Sequence, residues 1–156
     1  MRPNHSALTS MGSIQHIFIA PRRGEPVVSL GSVEAVADCA LRGDRYTDPK
    51  LRRSPDYQVT LIESEQVRAF AEALKLPLEP HEPRRNLVTV GMNLNDLFQK
   101  RFFVGEAELE GLDLCEPCAT FARYTNPEVV RFFVRRGGLR ARILRGGIIR
   151  VGDIVS

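Results

Sequence analysis

The sequence lacks several features that would place it in large classes of proteins. It has three cysteines and no tryptophan. A small, odd number of cysteines argues against a disulfide framework and is typical of a reducing compartment. No apolar run approaches the roughly 20 residues of a membrane-spanning helix, and residues 1–10 lack the apolar core of a secretory signal. We therefore expect a cytoplasmic protein that has no membrane partner.

Lysine is also scarce. Three of the 22 basic residues are lysine, so arginine supplies most of the positive charge behind the net +3. The planar guanidinium of arginine binds phosphate or carboxylate through two parallel hydrogen bonds. Two interpretations stay open: a compositional bias of the genome, and a pocket for a phosphorylated ligand. Nucleic acid is not expected as a partner, because there is no basic run with interleaved aromatics and no recognisable nucleic-acid module.

The length of 156 residues is enough for one domain with its own core. There is no internal repeat and no low-complexity segment. We expect residues 1–12 to be a disordered lead and residues 13–156 to form the domain. Met11 is an alternative start to Met1.

The apolar pattern predicts more strands than helices. Ser64 is expected to cap a helix that runs to Leu74, and Asn126-Pro127 to begin another through Arg135. Gly146-Gly147 is expected to turn a hairpin. The pattern favours a β-barrel with a few helical insertions over a parallel βαβ sheet. Strands are predicted at residues 14–20, 32–39, 58–62, 87–90, 107–114, 139–143 and 148–155.

The segment Cys115-Glu116-Pro117-Cys118 carries the most chemical information. A thiolate is both a nucleophile and a soft-metal ligand. The pair therefore suits a metal or persulfide site, a thiol–disulfide oxidoreductase, or structural zinc. Zinc needs four ligands and the sequence has no second pair, while the missing βαβ pattern argues against the oxidoreductase. Cys39 ends an apolar strand and is expected to be a small core residue.

Seven short motifs resemble, in their order along the chain, those of MOSC domains, which are the C-terminal domains of molybdenum cofactor sulfurases and also occur as stand-alone bacterial proteins. The resemblance covers about residues 13–155. It implies a mainly β, pyruvate-kinase-like barrel that binds molybdenum cofactor (molybdopterin), an anionic pterin whose dithiolene sulfurs hold the metal. The motifs are Gly43-Asp44-Arg45-Tyr46, Gln58-Val59-Thr60-Leu61-Ile62, Arg84-Arg85-Asn86-Leu87-Val88, Val104-Gly105, Cys115-Glu116-Pro117-Cys118, Gly137-Gly138-Leu139-Arg140-Ala141 and Ile149-Arg150-Val151-Gly152-Asp153.

The resemblance also implies roles for individual residues. In the related amidoxime-reducing enzymes a cysteine of this motif binds molybdenum, and the motif places that catalytic and metal-ligating role on Cys118. The same thiol suits a persulfide carrier. Arginine holds a phosphate, asparagine pairs with a pterin edge, and glycine lets backbone amides approach an anion. The predicted cofactor-binding residues are Arg45, Arg84, Arg85, Asn86, Cys115, Gly138 and Arg140.

Three of these assignments have structural alternatives. Residues 84–86 also suit an exposed basic loop, Arg45 an ion pair with Asp44 in a tight turn, and Gly138 a helix stop. The sequence has no segment for a cysteine-desulfurase domain or for the extra β domain of the amidoxime reducers. We therefore expect a cofactor-binding or sulfur-carrying module that works with a cysteine desulfurase or a redox partner protein.

Overall fold

Short alternating apolar segments place most of the described chain in β-strands. The computed structural model describes residues 11–115, 131 and 134–156. One α-helix, α1, spans Ser64–Leu74, and short 3-10 helices span Arg45–Thr47, Pro55–Tyr57 and Leu94–Leu97. The strands are β1 (Gly12–Ile19), β2 (Val28–Leu30), β3 (Ser32–Ala35), β4 (Val59–Glu63), β5 (Leu87–Val90), β6 (Arg101–Val104), β7 (Ala107–Leu114), β8 (Leu139–Arg145), β9 (Gly147–Arg150) and β10 (Ile154–Val155).

Seven of the strands pair in a closed circuit. Their order is β1, β10, β6, β7, β8, β4 and β5, and β5 pairs with β1 again. Strand β2 extends the sheet beside β1, and β3 pairs separately with β9. Strands β4 and β5 run parallel, joined by α1, and the other strand pairs of the described chain are antiparallel. The predicted mainly β fold is thereby confirmed, with one βαβ unit that the sequence analysis did not expect.

Apolar side chains form two cores. The larger one brings together inward-facing residues of the circuit, such as Ile17, Leu61 and Ile143. A smaller one lies under α1, where Val67 and Phe70 pack against Phe18, Ile62 and Val88. Burying each such side chain contributes about 1.5–3 kcal/mol. These apolar contacts hold α1 against the sheet.

The predicted hairpin around Gly146-Gly147 is wrong. Strand β8 pairs with β4 and β7, β9 pairs with β3, and β10 pairs with β1 and β6. A Cβ atom on Gly146 would lie 2.7 Å from the carbonyl oxygen of Ala35, and one on Gly147 would lie 2.6 Å from Cβ of Glu106. The two glycines therefore let the chain pass close to neighbouring backbone rather than turn a hairpin.

Other local predictions hold with small corrections. The bounds of β5, β7 and α1 agree with the predicted segments, and the register of β7 shifts between Gly111 and Asp113, as expected of a bulge. The cap of α1 is Glu63 rather than Ser64. Strand β3 ends at Ala35, because Asp38 adopts a φ of 50° in the turn that follows. Strands β2 and β6 were not predicted.

Two predicted segments lie mainly in residues that the structure does not describe. Most of the expected helix at 127–135 lies outside the described residues; of those described, Arg131 is helical, whereas Val134 and Arg135 lie in a turn, with a φ of 62° at Arg135. Nearly all of the expected lead at 1–12 also lies outside the described residues, although Gly12 already begins β1. Among the described residues, no helix is long and apolar enough to cross a membrane.

Candidate functional site

The end of β7 and the start of β8 are held together by close backbone contacts. The backbone N–H of Cys115 donates to the carbonyl oxygen of Gly138 at 2.7 Å. A Cβ atom on Gly137 would lie 2.5 Å from the carbonyl oxygen of Cys115, and one on Gly138 would collide with that of Leu61. Gly138 also has a φ of 107°, a conformation that favours glycine. These contacts fix both ends of the segment that carries the second cysteine of the C-x-x-C motif.

A buried arginine lies at this point. Arg85 is 5% exposed, and its Nε donates to the carbonyl oxygen of Gly137 at 3.0 Å. A guanidinium keeps its charge in proteins and is strongly disfavoured in the interior unless it is hydrogen-bonded or paired. The structure thus places a permanent positive charge beside Gly137 and Cys115, and the cofactor-binding roles of Arg85, Gly138 and Cys115 stay predictions.

The two cysteines of the motif differ in what the structure says of them. Cys115 is 0% exposed. Complete burial suits a residue that supports the segment and does not suit an attacking thiol, which weighs against the thiol–disulfide alternative. Cys118 lies outside the described residues, and its role as catalytic and metal-ligating residue stays a prediction.

A second group of residues joins Arg45 to Arg140 through two tyrosines. The rings of Tyr46 and Tyr57 lie 5.4 Å apart between centroids. The guanidinium carbon of Arg45 is 4.7 Å from the Tyr46 centroid, and that of Arg140 is 5.6 Å from the Tyr57 centroid. Arg140 belongs to β8, two residues after Gly138. The structure therefore brings Arg45 and Arg140 into one cluster next to the start of β8.

The positions of Arg45 and Tyr46 are set by a buried carboxylate. Asp44 is 4% exposed, and its two oxygens accept hydrogen bonds from the backbone N–H groups of Ala20 at 2.8 Å and Tyr46 at 3.1 Å. This capping ties the 3-10 helix Arg45–Thr47 to the end of β1. The alternative of an Asp44–Arg45 ion pair is not observed, since Nη2 of Arg45 donates to the hydroxyl of Tyr46 instead.

Neither arginine of this cluster forms an ion pair within the described part of the chain, although Asp113 is the cross-strand neighbour of Arg140. Neither Arg45 nor Arg140 has a carboxylate oxygen within 4 Å there. Their guanidinium faces rest against tyrosine rings, which leaves N–H groups at the edges for an acceptor. The arrangement suits an anionic, planar ligand.

Two predicted site residues face elsewhere. Arg84 adopts a φ of 59°, and its Nη1 donates to the carbonyl oxygen of Glu25 at 2.8 Å. The Oδ1 atom of Asn86 accepts from the backbone N–H of Thr60 at 3.0 Å, while its Nδ2 donates to the carbonyl oxygen of Phe18 at 3.0 Å. The amide edge predicted to pair with a pterin is thus engaged by the protein itself, and Asn86 joins β1, β4 and β5.

Comparison with known proteins places the chain in a family. The family model described as the MOSC domain matches residues 48–156, more than half of the chain. The chain belongs to the MOSC-domain family. A comparison with curated proteins found no match.

Solved structures share the fold of this MOSC domain. The YuaD protein from Bacillus subtilis superposes with a TM-score of 0.76 at 16% sequence identity, over 93% of this chain and 94% of that one. YiiM from Geobacillus stearothermophilus gives a TM-score of 0.69 at 17% identity, over 92% of this chain and 73% of that one. YiiM from Escherichia coli gives 0.64 at 16% identity, over 93% and 67%. At these identities the likeness concerns the fold.

Sequence reasoning missed the tyrosines of the site and misplaced one cysteine of this MOSC domain. Tyr46 directly follows Arg45, but a single tyrosine in a polar loop has no periodicity that marks it. The prediction that Cys39 is a core residue is wrong: the side chain is partly exposed, and Nη1 of Arg52 donates to its sulfur at 3.3 Å. The same Nη1 donates to the carbonyl oxygen of Tyr46 at 2.7 Å, so Arg52 links Cys39 to the loop of the site.

Proposed function

We propose that this MOSC domain binds the molybdenum cofactor where the C-x-x-C segment leaves the barrel, with Cys118 as metal ligand or persulfide carrier. The observation that carries the proposal is the cluster of Arg45 and Arg140 over two adjacent tyrosine rings beside the start of β8. The association of the MOSC family with this cofactor supports it.

The residues present fit the chemistry of such a ligand. The cofactor has an anionic phosphate, and the edges of Arg45 and Arg140 offer N–H donors in the geometry that phosphate accepts. The buried charge of Arg85 makes the base of the C-x-x-C segment favourable for a further anionic group. Gly137 and Gly138 allow backbone to approach closely there, where any side chain would collide.

The ligand to the metal is proposed from chemistry. Among the described residues, no group of three or more histidine, cysteine or acidic side chains forms a metal site. A single soft thiolate is the donor that suits a metal already held by sulfur. When bound, the cofactor supplies a redox-active molybdenum, and the chain contributes positioning, charge and the Cys118 thiol. We further propose a cysteine desulfurase or a redox protein as the partner.

The arginine cluster gives a direct test. Arg45→Gln and Arg140→Gln are each expected to lower the pterin and molybdenum content of gently purified protein by about tenfold. A charge-assisted hydrogen bond contributes about 1.5–3 kcal/mol, and each 1.4 kcal/mol is about tenfold in affinity. Pterin is measured by fluorescence after oxidation, and molybdenum by elemental mass spectrometry.

The matched control is Arg101→Gln, which removes an exposed arginine of β6 without a partner in the described chain. It is expected to retain the cofactor content of the unaltered protein. Equal cofactor content in all three variants would exclude the arginine cluster as the binding site. Equal losses in all three would show that net charge alone governs binding.

A further inference from the structure

A separate cavity lies on the outer wall of the barrel, beside the first turns of α1. Its volume is about 240 Å³, and it is lined by residues of β1, β5, α1 and the segment that follows α1. Sites for drug-sized molecules are usually about 300–1,000 Å³. The cavity is therefore matched to a compact molecule, of about the size of one substituted ring.

A β-bulge opens this wall. Ile14 pairs with Thr89 and His16 pairs with Val88, so Gln15 is an extra residue on β1. Because of the bulge, Gln15 and His16 both line the cavity, while Ile14 and Ile17 on either side belong to the barrel core. Bulges re-aim side chains and are frequent next to binding sites.

The cavity has polar groups without protein partners. Ser64 is 6% exposed, and its hydroxyl has no hydrogen-bond partner among the described residues. The residue borders the cavity, where the acceptor of a ligand can receive a hydrogen bond from this hydroxyl. Arg68 also lines the cavity, and its guanidinium has neither a hydrogen bond nor an ion pair within the described chain.

The electrostatics of the cavity favour an anion. Ser64 is the first residue of α1, where the helix dipole favours negative charge. Two acidic side chains of the same turn do not line the cavity: Glu63 accepts from the backbone N–H of Leu94 at 3.2 Å, and Oε2 of Glu65 accepts from that of Gly91 at 2.7 Å, while Oε1 of Glu65 is buried without a hydrogen-bond partner in the described chain. The charged and titratable side chains that line the cavity itself are Arg68 and His16.

The remaining walls are apolar. Val67 and Val88 form part of the small core under α1, and Leu78 packs against that core. The imidazole of His16 stacks on the ring of Phe18, with centroids 5.7 Å apart. A flat apolar body fits between such surfaces, with its charged end toward Ser64 and Arg68.

We propose that this cavity is a second ligand site, specific for a small aromatic carboxylate. The carboxylate accepts hydrogen bonds from the Ser64 hydroxyl and the Arg68 guanidinium, and the ring lies against Val67, Leu78 and Val88. The site is independent of the cofactor site proposed above, and neither requires the other.

The test is a titration of isotope-labelled protein with benzoate, followed by amide chemical shifts. Benzoate is expected to cause saturable shifts at Gln15, His16, Ser64 and Arg68. Benzamide, which has the same shape without the charge, is expected to bind about tenfold more weakly, as loss of one charge-assisted bond implies. Arg68→Gln and Ser64→Ala are expected to weaken benzoate binding, and Arg68→Gln to remove the preference over benzamide.

The control is Arg53→Gln, an exposed arginine outside the cavity, which is expected to leave benzoate binding unchanged. Unchanged thermal midpoints of the variants show that they are folded. The proposal is overturned if benzoate causes no saturable shift up to its solubility limit. It is equally overturned if benzamide binds as well as benzoate, or if Arg68→Gln and Arg53→Gln behave alike.

Discussion

At the scale of single residues, Asn86 shows how one amide holds three strands. Its Oδ1 accepts a hydrogen bond from the backbone N–H of Thr60, and its Nδ2 donates to the carbonyl oxygen of Phe18. Its backbone N–H donates to the hydroxyl of Thr60. The side chain therefore satisfies polar groups of β1 and β4 from the start of β5. Its position in a family motif is explained by this contact within the barrel.

We expect Asn86→Ala to lower the free energy of unfolding by about 2–4 kcal/mol, because each polar group left without a partner costs about 1–3 kcal/mol. Urea denaturation measures the change. The control is Asn95→Ala, which removes a single exposed hydrogen bond to the carbonyl oxygen of Arg135 and is expected to cost about 1 kcal/mol or less. If both variants are equally stable, the strand-joining role of Asn86 is wrong.

At the residue scale, the sequence indicated candidate site residues but did not predict the contacts that each of them makes. Arg45, Arg85 and Arg140 were chosen by motif, and their roles in binding an anion stay predictions. The bonding of Asn86 was not foreseeable, because its partners Thr60 and Phe18 are distant in sequence. Cys39 was misplaced because an apolar stretch was taken to be strand throughout, whereas the chain turns at Asp38.

At the scale of elements, the joint between β7 and β8 depends on glycine. Gly138 combines a positive φ with contact against the backbone of Leu61, and Gly91 has a similar φ of 83° with open space around it. Substitutions at Gly91 and Gly138 therefore separate the cost of a side chain at a positive φ from the cost of a collision with neighbouring backbone.

Gly91→Ala is expected to cost about 1–2 kcal/mol, the usual penalty for a side chain in the left-handed region. Gly138→Ala adds a collision with the Leu61 carbonyl and is expected to cost more than about 4 kcal/mol, a range reached when backbone must move. The unfolding midpoints of the two variants in urea measure the difference. Similar losses would show that the joint has room for a side chain and does not depend on close packing.

The bounds of a helix or strand were predictable where its apolar residues followed a regular spacing over its whole length. Apolar spacing in α1 and alternation in β7 were sufficient, since both elements bury one regular face. The register of β1 was not predictable, because the bulge at Gln15 moves Ile14 onto the same face as Ile17. Strict alternation along this strand groups Ile14 with His16 and Phe18 instead.

At the scale of the whole molecule, the barrel class was predictable and its strand order was not. Many short strands with few helices favour a closed β architecture. The closure itself depends on β10, a two-residue strand that pairs with both β1 and β6. Such long-range pairing leaves no local signal, and the sequence pattern instead suggested a hairpin.

The architecture also explains how the site is assembled. Its residues come from the segment between β3 and β4, the start of β5 and the joint between β7 and β8. They meet because β8 lies between β4 and β7, and β5 lies beside β4. We propose that this end of β8 holds an anionic cofactor, with Cys118 as metal ligand or persulfide carrier.

Native mass spectrometry of gently purified protein tests that claim most directly. The account predicts an added mass, equal either to a molybdenum-bearing pterin or to one sulfur on a cysteine. It predicts that Cys118→Ser abolishes the addition while leaving the fold intact, and that Cys115→Ser, which alters a buried supporting residue, reduces it less. Unaltered protein that carries no addition, or equal loading in Cys118→Ser, would contradict the account.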